Sequence, residues 1–200
     1  MIAASGRELI TPPAVEVVTF DDFAAHHNLY DPAEQEEVKL KIAAARQTIE
    51  QWTNLQFITA TWRLAFDQFP RGNCWQDRSI PLLPRPVQSV TINYVDDAGE
   101  TVELDEELYQ LTTTGRPQLV PAYGFTWPIA RRQPEAVTLD VVCGFGDAAD
   151  DVPDWAKQAI RFLASHWYEQ RESVNVGNIV TEIPQTLQLL LQTHGVETFY

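Results

Sequence analysis

The chain has only two cysteines in 200 residues, Cys74 and Cys143, and their spacing is neither disulfide-like nor metal-like. A disulfide framework is therefore excluded as the basis of the fold, a reducing cytoplasm is the natural setting, and both thiols are expected to be buried. No apolar run approaches the roughly 20 residues needed to span a bilayer. Residues 1–14 lack the basic start and apolar centre of a secretory signal. The expectation is a soluble, unexported protein with no membrane partner. Basic side chains are scarce: 14 Lys and Arg stand against 28 Asp and Glu, a formal charge of −14, and Arg131-Arg132 is the only adjacent basic pair. Tight, unspecific binding to duplex DNA needs cations that displace counterions, so this composition argues against it.

Signatures of chemistry are missing as well. There is no Gly-rich phosphate loop ending in Lys-Ser/Thr and no Gly-x-Ser-x-Gly elbow, and Gly144-Phe145-Gly146 lacks the third glycine of a dinucleotide turn. His26-His27 is the only histidine pair, and adjacent residues of a helix point in different directions, which does not suit a metal. His166 is expected to be a hydrogen-bonded interior or interface group, and His194 lies near a helix end. The acidic clusters Asp96-Asp97, Asp105-Glu106-Glu107 and 147–154 do not match the ligand ladder of a calcium loop. Solvated turns and helix starts account for them. The sequence therefore predicts no catalytic residue, no cofactor and no metal.

What is present is a change of period along the chain. Residues 1–18, with Thr11-Pro12-Pro13, show no helical period and read as an extended lead-in. Thr19 and Asp22 form a capping-box pattern before a short helix containing Phe20, Phe23 and Leu29. Asp31-Pro32-Ala33-Glu34 signals a second start, and Val38, Ile42, Ala45, Ile49 and Trp52 then recur at spacings of four and three. This predicts a helix with Glu37, Lys41 and Glu50 outside its apolar stripe. From Phe57 the period falls to two, with Ala60, Trp62, Leu64 and Phe66 on one side. Residues 80–83 read as a short edge segment. Val90, Ile92 and Tyr94 lead through Asp96-Asp97-Ala98-Gly99 to Val102 and Leu104, which is hairpin chemistry. Tyr109 and Leu111 suggest a further strand, Pro117, Pro121 and Pro128 a long loop, and Val137, Leu139, Val141 and Cys143 a last strand closed by Gly144.

Residues 150–174 read as a long helix with two apolar faces. Pro153 suits a first turn, and Asp150, Asp151 and Asp154 put negative charge at the positive end of the dipole. Ala156, Ala159, Ile160, Leu163 and Trp167 form one stripe, while Trp155, Phe162 and Tyr168 lie off it and form a second surface. That second surface is a candidate interface. Trp75 and Trp127 in loops, and the terminal Phe199 and Tyr200, are further candidates, because aromatic rings offer large contact area with few torsions to freeze. Pro184 opens a final helix with Leu187, Leu190 and Leu191, ending at Gly195. The implied fold class is α+β: a small helical bundle built from 19–56 and 152–194, closed around an antiparallel β insertion at 57–146. It makes a single domain over 19–194, followed by a tail at 195–200.

Certain of these motifs occur together in one known family. Gly144-Phe145-Gly146 after a strand, then Val152-Pro153, then the His166-Trp167-Tyr168-Glu169-x-Arg171-Glu172 run, resembles the phage head–tail connector (adaptor) family and its relatives in gene transfer agents. The helix ending near Trp52-Thr53, the Pro86-Val87-Gln88-Ser89-Val90 strand entry reaching Asp97-Ala98-Gly99, and Ile183-Pro184 before a Leu-rich helix agree in order. The resemblance implies a structural, non-enzymatic protein that forms a homo-oligomeric ring, typically of twelve copies, between the portal protein and a tail-side stopper protein. DNA would pass through without tight binding. Such a protein meets its partners in the host cytoplasm during assembly and ends in the particle neck. Two rival readings follow from the residues alone: a small hydrolase using carboxylates or His166, and a carbohydrate- or peptide-binding β module using Trp75 and Trp127.

Overall fold

The computed structural model describes residues 4–27, 34–72, 74, 76–113, 115–169 and 185–193. The chain divides into two compact units, a β unit of Met1–Pro13 and Thr59–Phe145 and a helical unit of Ala14–Ile58 and Gly146–Tyr200. Each has its own buried core. The first eighteen residues do not behave as one lead-in. Gly6–Thr11 is strand β1 of the β unit, whereas Val17 and Val18 are buried in the helical core.

Four helices make up the described part of the helical unit: α1 (Phe20–His27), α2 (Gln35–Thr53), α3 (Asp154–Glu169) and α4 (Gln185–Thr193). The capping box before α1 is formed reciprocally. The Asp22 amide donates to Thr19 Oγ1 at 3.1 Å, and the Thr19 hydroxyl and amide donate to Asp22 Oδ2 at 2.7 and 3.3 Å. These bonds satisfy amides that a helix start leaves unpaired, and they hold the Asp22 carboxyl below its ordinary pKa, the hydroxyl bond first. The cap is thus intact at neutral pH and is lost as the pH falls through that lowered value.

Val38, Ile42, Ala45 and Ile49 of α2 are buried as their spacing predicts, against Ala156, Ala159, Ile160, Leu163 and Ala164 of α3 and Leu187 and Leu191 of α4. Asn54 ends α2 in the left-handed conformation, where its amide still reaches the Glu50 carbonyl. The structure corrects one expectation here. Glu50 does not lie outside the stripe, because its side chain is only 11% exposed and faces Arg46, itself 7% exposed. Arg46 Nη1 donates to Glu50 Oε2 at 2.6 Å, and its Nε and Nη2 donate to Glu16 at 2.7 and 3.2 Å. Gln56 Nε2 and the Phe57 amide donate to the other Glu50 oxygen. A buried ionic group persists only when so paired.

α3 begins after a 3-10 turn at Ala149–Asp151, where Asp151 Oδ2 accepts from the Ala148 amide at 3.0 Å. Gly146 is required beside it, since a Cβ there would sit 2.2 Å from that same carboxylate oxygen. Pro153 stands one residue before the helix, its carbonyl accepting from Ala156.

The β unit holds two antiparallel sheets. In the first, β1 pairs with β2 (Ala60–Phe66), which pairs with β8 (Val137–Cys143), then β4 (Val87–Val95) and β5 (Thr101–Glu103). The second has the order β3 (Ile80–Pro81), β7 (Gln118–Pro121), β6 (Tyr109–Thr112). β7 lies within the stretch expected to be a Pro-rich loop. Pro117 and Pro121 flank or end it, and Leu119 is fully buried between its neighbours. Proline is tolerated at a strand end because only a terminal ladder bond is lost. The β4–β5 hairpin closes as read from the sequence, with Gly99 at φ +93° and the Glu100 amide donating to Asp96 Oδ1 at 2.9 Å. The Tyr109 hydroxyl donates to the Val90 carbonyl at 2.8 Å and ties the second sheet to the first. Cys143 closes β8 and is buried; Cys74 is exposed, contrary to expectation, because it lies in the loop between β2 and β3 rather than on a strand face.

Candidate interaction surfaces

On α3 the helical period separates a buried stripe from the residues beside it. Trp155 does not stand free on the second face: its ring meets Phe57 edge to face at 6.1 Å. Tyr168 likewise meets Phe23 edge to face at 6.0 Å and donates its hydroxyl to Glu34 Oε2 at 2.6 Å, with the Lys41 ammonium 5.8 Å from its ring. Both rings spend much of their surface inside the helical unit. Phe162 is half-buried and borders a groove of about 760 Å³ that it shares with Lys157, Gln158, Arg161, Ser165 and His166. Their spacing of three and four places them on one helical face, with Asp154 and Glu169 at its ends. Lys157 is turned toward the helix start, 3.7 Å from Asp150 and 3.8 Å from Asp154.

In the β unit Trp127 is turned inward. It is 8% exposed, stacks on Phe69 at 5.1 Å and donates its indole N–H to the Arg78 carbonyl at 2.7 Å. A buried indole needs such a partner, and with it Trp127 is a packing residue rather than an open platform for a sugar or peptide. The apolar groups that this loop does present are not signalled by the local sequence pattern. Tyr123 is 99% exposed, Phe125 50% and Ile129 68%. The turn is held by the Phe125 amide on the Ala122 carbonyl and by the Ala122 amide on the Leu108 carbonyl, both at 2.9 Å. A run of residues 108–134 without a single Asp or Glu, in a chain with 28, was the available signal.

Trp75, Phe199, Tyr200 and His194 lie outside the described residues, as do the side chains of His26 and His27. Among the described residues no group of three or more His, Cys, Asp or Glu is placed to hold a metal ion, and no helix is long and apolar enough to cross a membrane. The negative charge is uneven: the helical unit carries 16 acidic and 6 basic residues, the β unit 12 and 8, and every basic residue of the β unit is arginine.

The sequence matches no family model and no curated protein. Solved structures are similar over nearly the whole chain. A chain of the virion of a native gene transfer agent particle has 23% identity and a TM-score of 0.76, over 97% of this chain and 96% of that one. A chain in the neck of an empty particle of this kind, computed with C6 symmetry, gives 22%, 0.72 and 94% of both chains. One in the neck of the native particle, computed with C12 symmetry, gives 23%, 0.69 and 93% of both. The β-rich middle is therefore part of what is shared, and the chain has the α+β fold of a gene transfer agent neck component.

Proposed function

We propose that this chain is a structural, non-enzymatic adaptor in the neck of a phage-like or gene-transfer-agent particle. In this reading it forms a ring between the portal protein and a tail-side stopper and contributes to the DNA conduit. The observation that carries the reading is the fold likeness, which extends over nearly all of both chains. The symmetry of those necks supports a homo-oligomeric ring. The charge supports the conduit: at −14 each, assembled copies repel the DNA backbone and let it slide rather than hold it. We assign the Phe162 face of α3, together with Trp75, Phe199 and Tyr200, to contacts with neighbouring copies or the portal. Trp155 and Tyr168, half-buried in the helical unit, offer such contacts only part of their surface.

Deleting the gene from a particle-producing host tests this. The expected result is an accumulation of DNA-filled heads without tails, with attachment restored by adding back purified protein. Tailed, infective or DNA-transferring particles at normal yield from the deletion strain would refute the adaptor role.

A further inference from the structure

Resting on that ring reading, we propose that copies of the β unit join head to tail through the loop 122–130, the guanidinium side of one copy meeting the carboxylate side of the next. Tyr123, Phe125 and Ile129 are all exposed within seven residues of one loop, a closer grouping than singly scattered surface hydrophobic residues give. The group is held firmly from behind by Trp127 on Phe69 and by the Ala122–Leu108 hydrogen bond, so presenting it costs little ordering on contact.

Its two flanks differ in charge balance: carboxylates predominate at one, and at the other two arginines stand with a single carboxylate, Asp77 beside Gly72. At the start of the loop, Ala122 is bonded to the end of the 3-10 turn Glu106–Leu108, whose Glu106 and Glu107 are exposed beside Asp105. These belong to residues 96–107, which hold seven carboxylates and no basic residue. At the other end, Thr126 to Ile129 line a cleft of about 160 Å³ with Arg71 and Arg78. Arg78 donates through Nε to the Gly72 carbonyl at 2.8 Å, whereas Arg71 is exposed. Arg131 lies back over the β4–β5 turn, where a Cβ on Gly99 would meet its Nη1 at 2.4 Å, and so sits on the carboxylate side.

A closed ring needs two different, complementary patches on each copy. Copies that each carry −14 repel one another except where carboxylates face guanidiniums. The gradient from Glu106 to Arg71 across an aromatic centre meets both conditions, with the rings supplying burial and the charged rim setting register.

The test uses assembled particles carrying the full chain with Cys74→Ser, Arg71→Cys and Glu106→Cys, treated with a short bis-maleimide. A ladder of covalent multimers of this chain is expected, with none from either cysteine variant alone. As a second arm, Arg71→Glu or Glu106→Arg should each lower incorporation into necks about tenfold, and the two together should restore it. Only monomer from particles that contain the chain would overturn the inference while leaving the adaptor reading intact. A cross-linked band with a different protein, and no rescue by charge exchange, would assign the loop to another partner and equally overturn it. Absence of the chain from particles would fail the adaptor reading, and this inference with it.

Discussion

Ile160→Ala is expected to cost the helical unit about 2–5 kcal/mol of stability, the range for truncating a large aliphatic residue in a core that cannot collapse around the gap. Ile160 is fully buried at the middle of α3, among side chains contributed by α2 and α4. Phe162→Ala, two residues away and half-buried at the groove, is expected to cost less despite removing a larger group. Native-state hydrogen exchange measures both: in Ile160→Ala the amides of α2 and α3 should lose protection together, while those of β8, which belongs to a separate core, keep theirs. Equal losses from the two variants would mean that the faces of α3 have been assigned wrongly.

Arg46→Met should be of similar severity, about 3–5 kcal/mol at neutral pH, because it keeps the aliphatic stem but strands the Glu50 carboxylate in a buried site. Burial already pushes the Glu50 carboxyl above its ordinary pKa, against the pull of Arg46 and of the Phe57 amide. A carboxyl raised in this way contributes most to stability when protonated, and that contribution is lost as the pH rises through its folded value. The penalty of Arg46→Met should therefore shrink as the pH is lowered from neutral, kept above the isoelectric point near 4.5, since protonated Glu50 needs no cation. Adding Glu50→Gln should recover part of the loss at pH ~7 by the same reasoning. Urea titrations of the single and double variants at neutral and lowered pH decide it. A pH-independent penalty with no rescue would show that Arg46 acts through packing alone.

Where one face of an element is buried, its period carried the structure into the sequence. The stripes of α2 and α3, the alternation of β8 and the turn at Gly99 were all legible for that reason. Elements whose burial depends on distant partners were not. β7 is four residues long between prolines, and nothing local distinguishes it from a loop until β3 and β6 lie on either side. Glu50 reads as a solvated helix residue because Gln56 and the Phe57 amide, which donate to it, lie beyond the helix end, and Glu16, which completes the pairing of Arg46, is far along the chain. The candidate contacts divided in the same way. Trp127 was singled out for its isolation in a loop, yet its stacking on Phe69 and its bond to Arg78 are long-range facts that a single sequence does not display. Tyr123, only four residues earlier, is the ring left in solvent.

The central claim is that this chain builds a ring in a particle neck. A cryo-electron reconstruction of the neck from particles made by the native host, with the chain tagged at one end, tests it most directly. A closed ring of this α+β fold next to the portal, labelled by the tag and with the 122–130 loop at each junction between copies, is the predicted result. A complete neck whose density and mass-spectrometric composition contain no copy of the chain would contradict it.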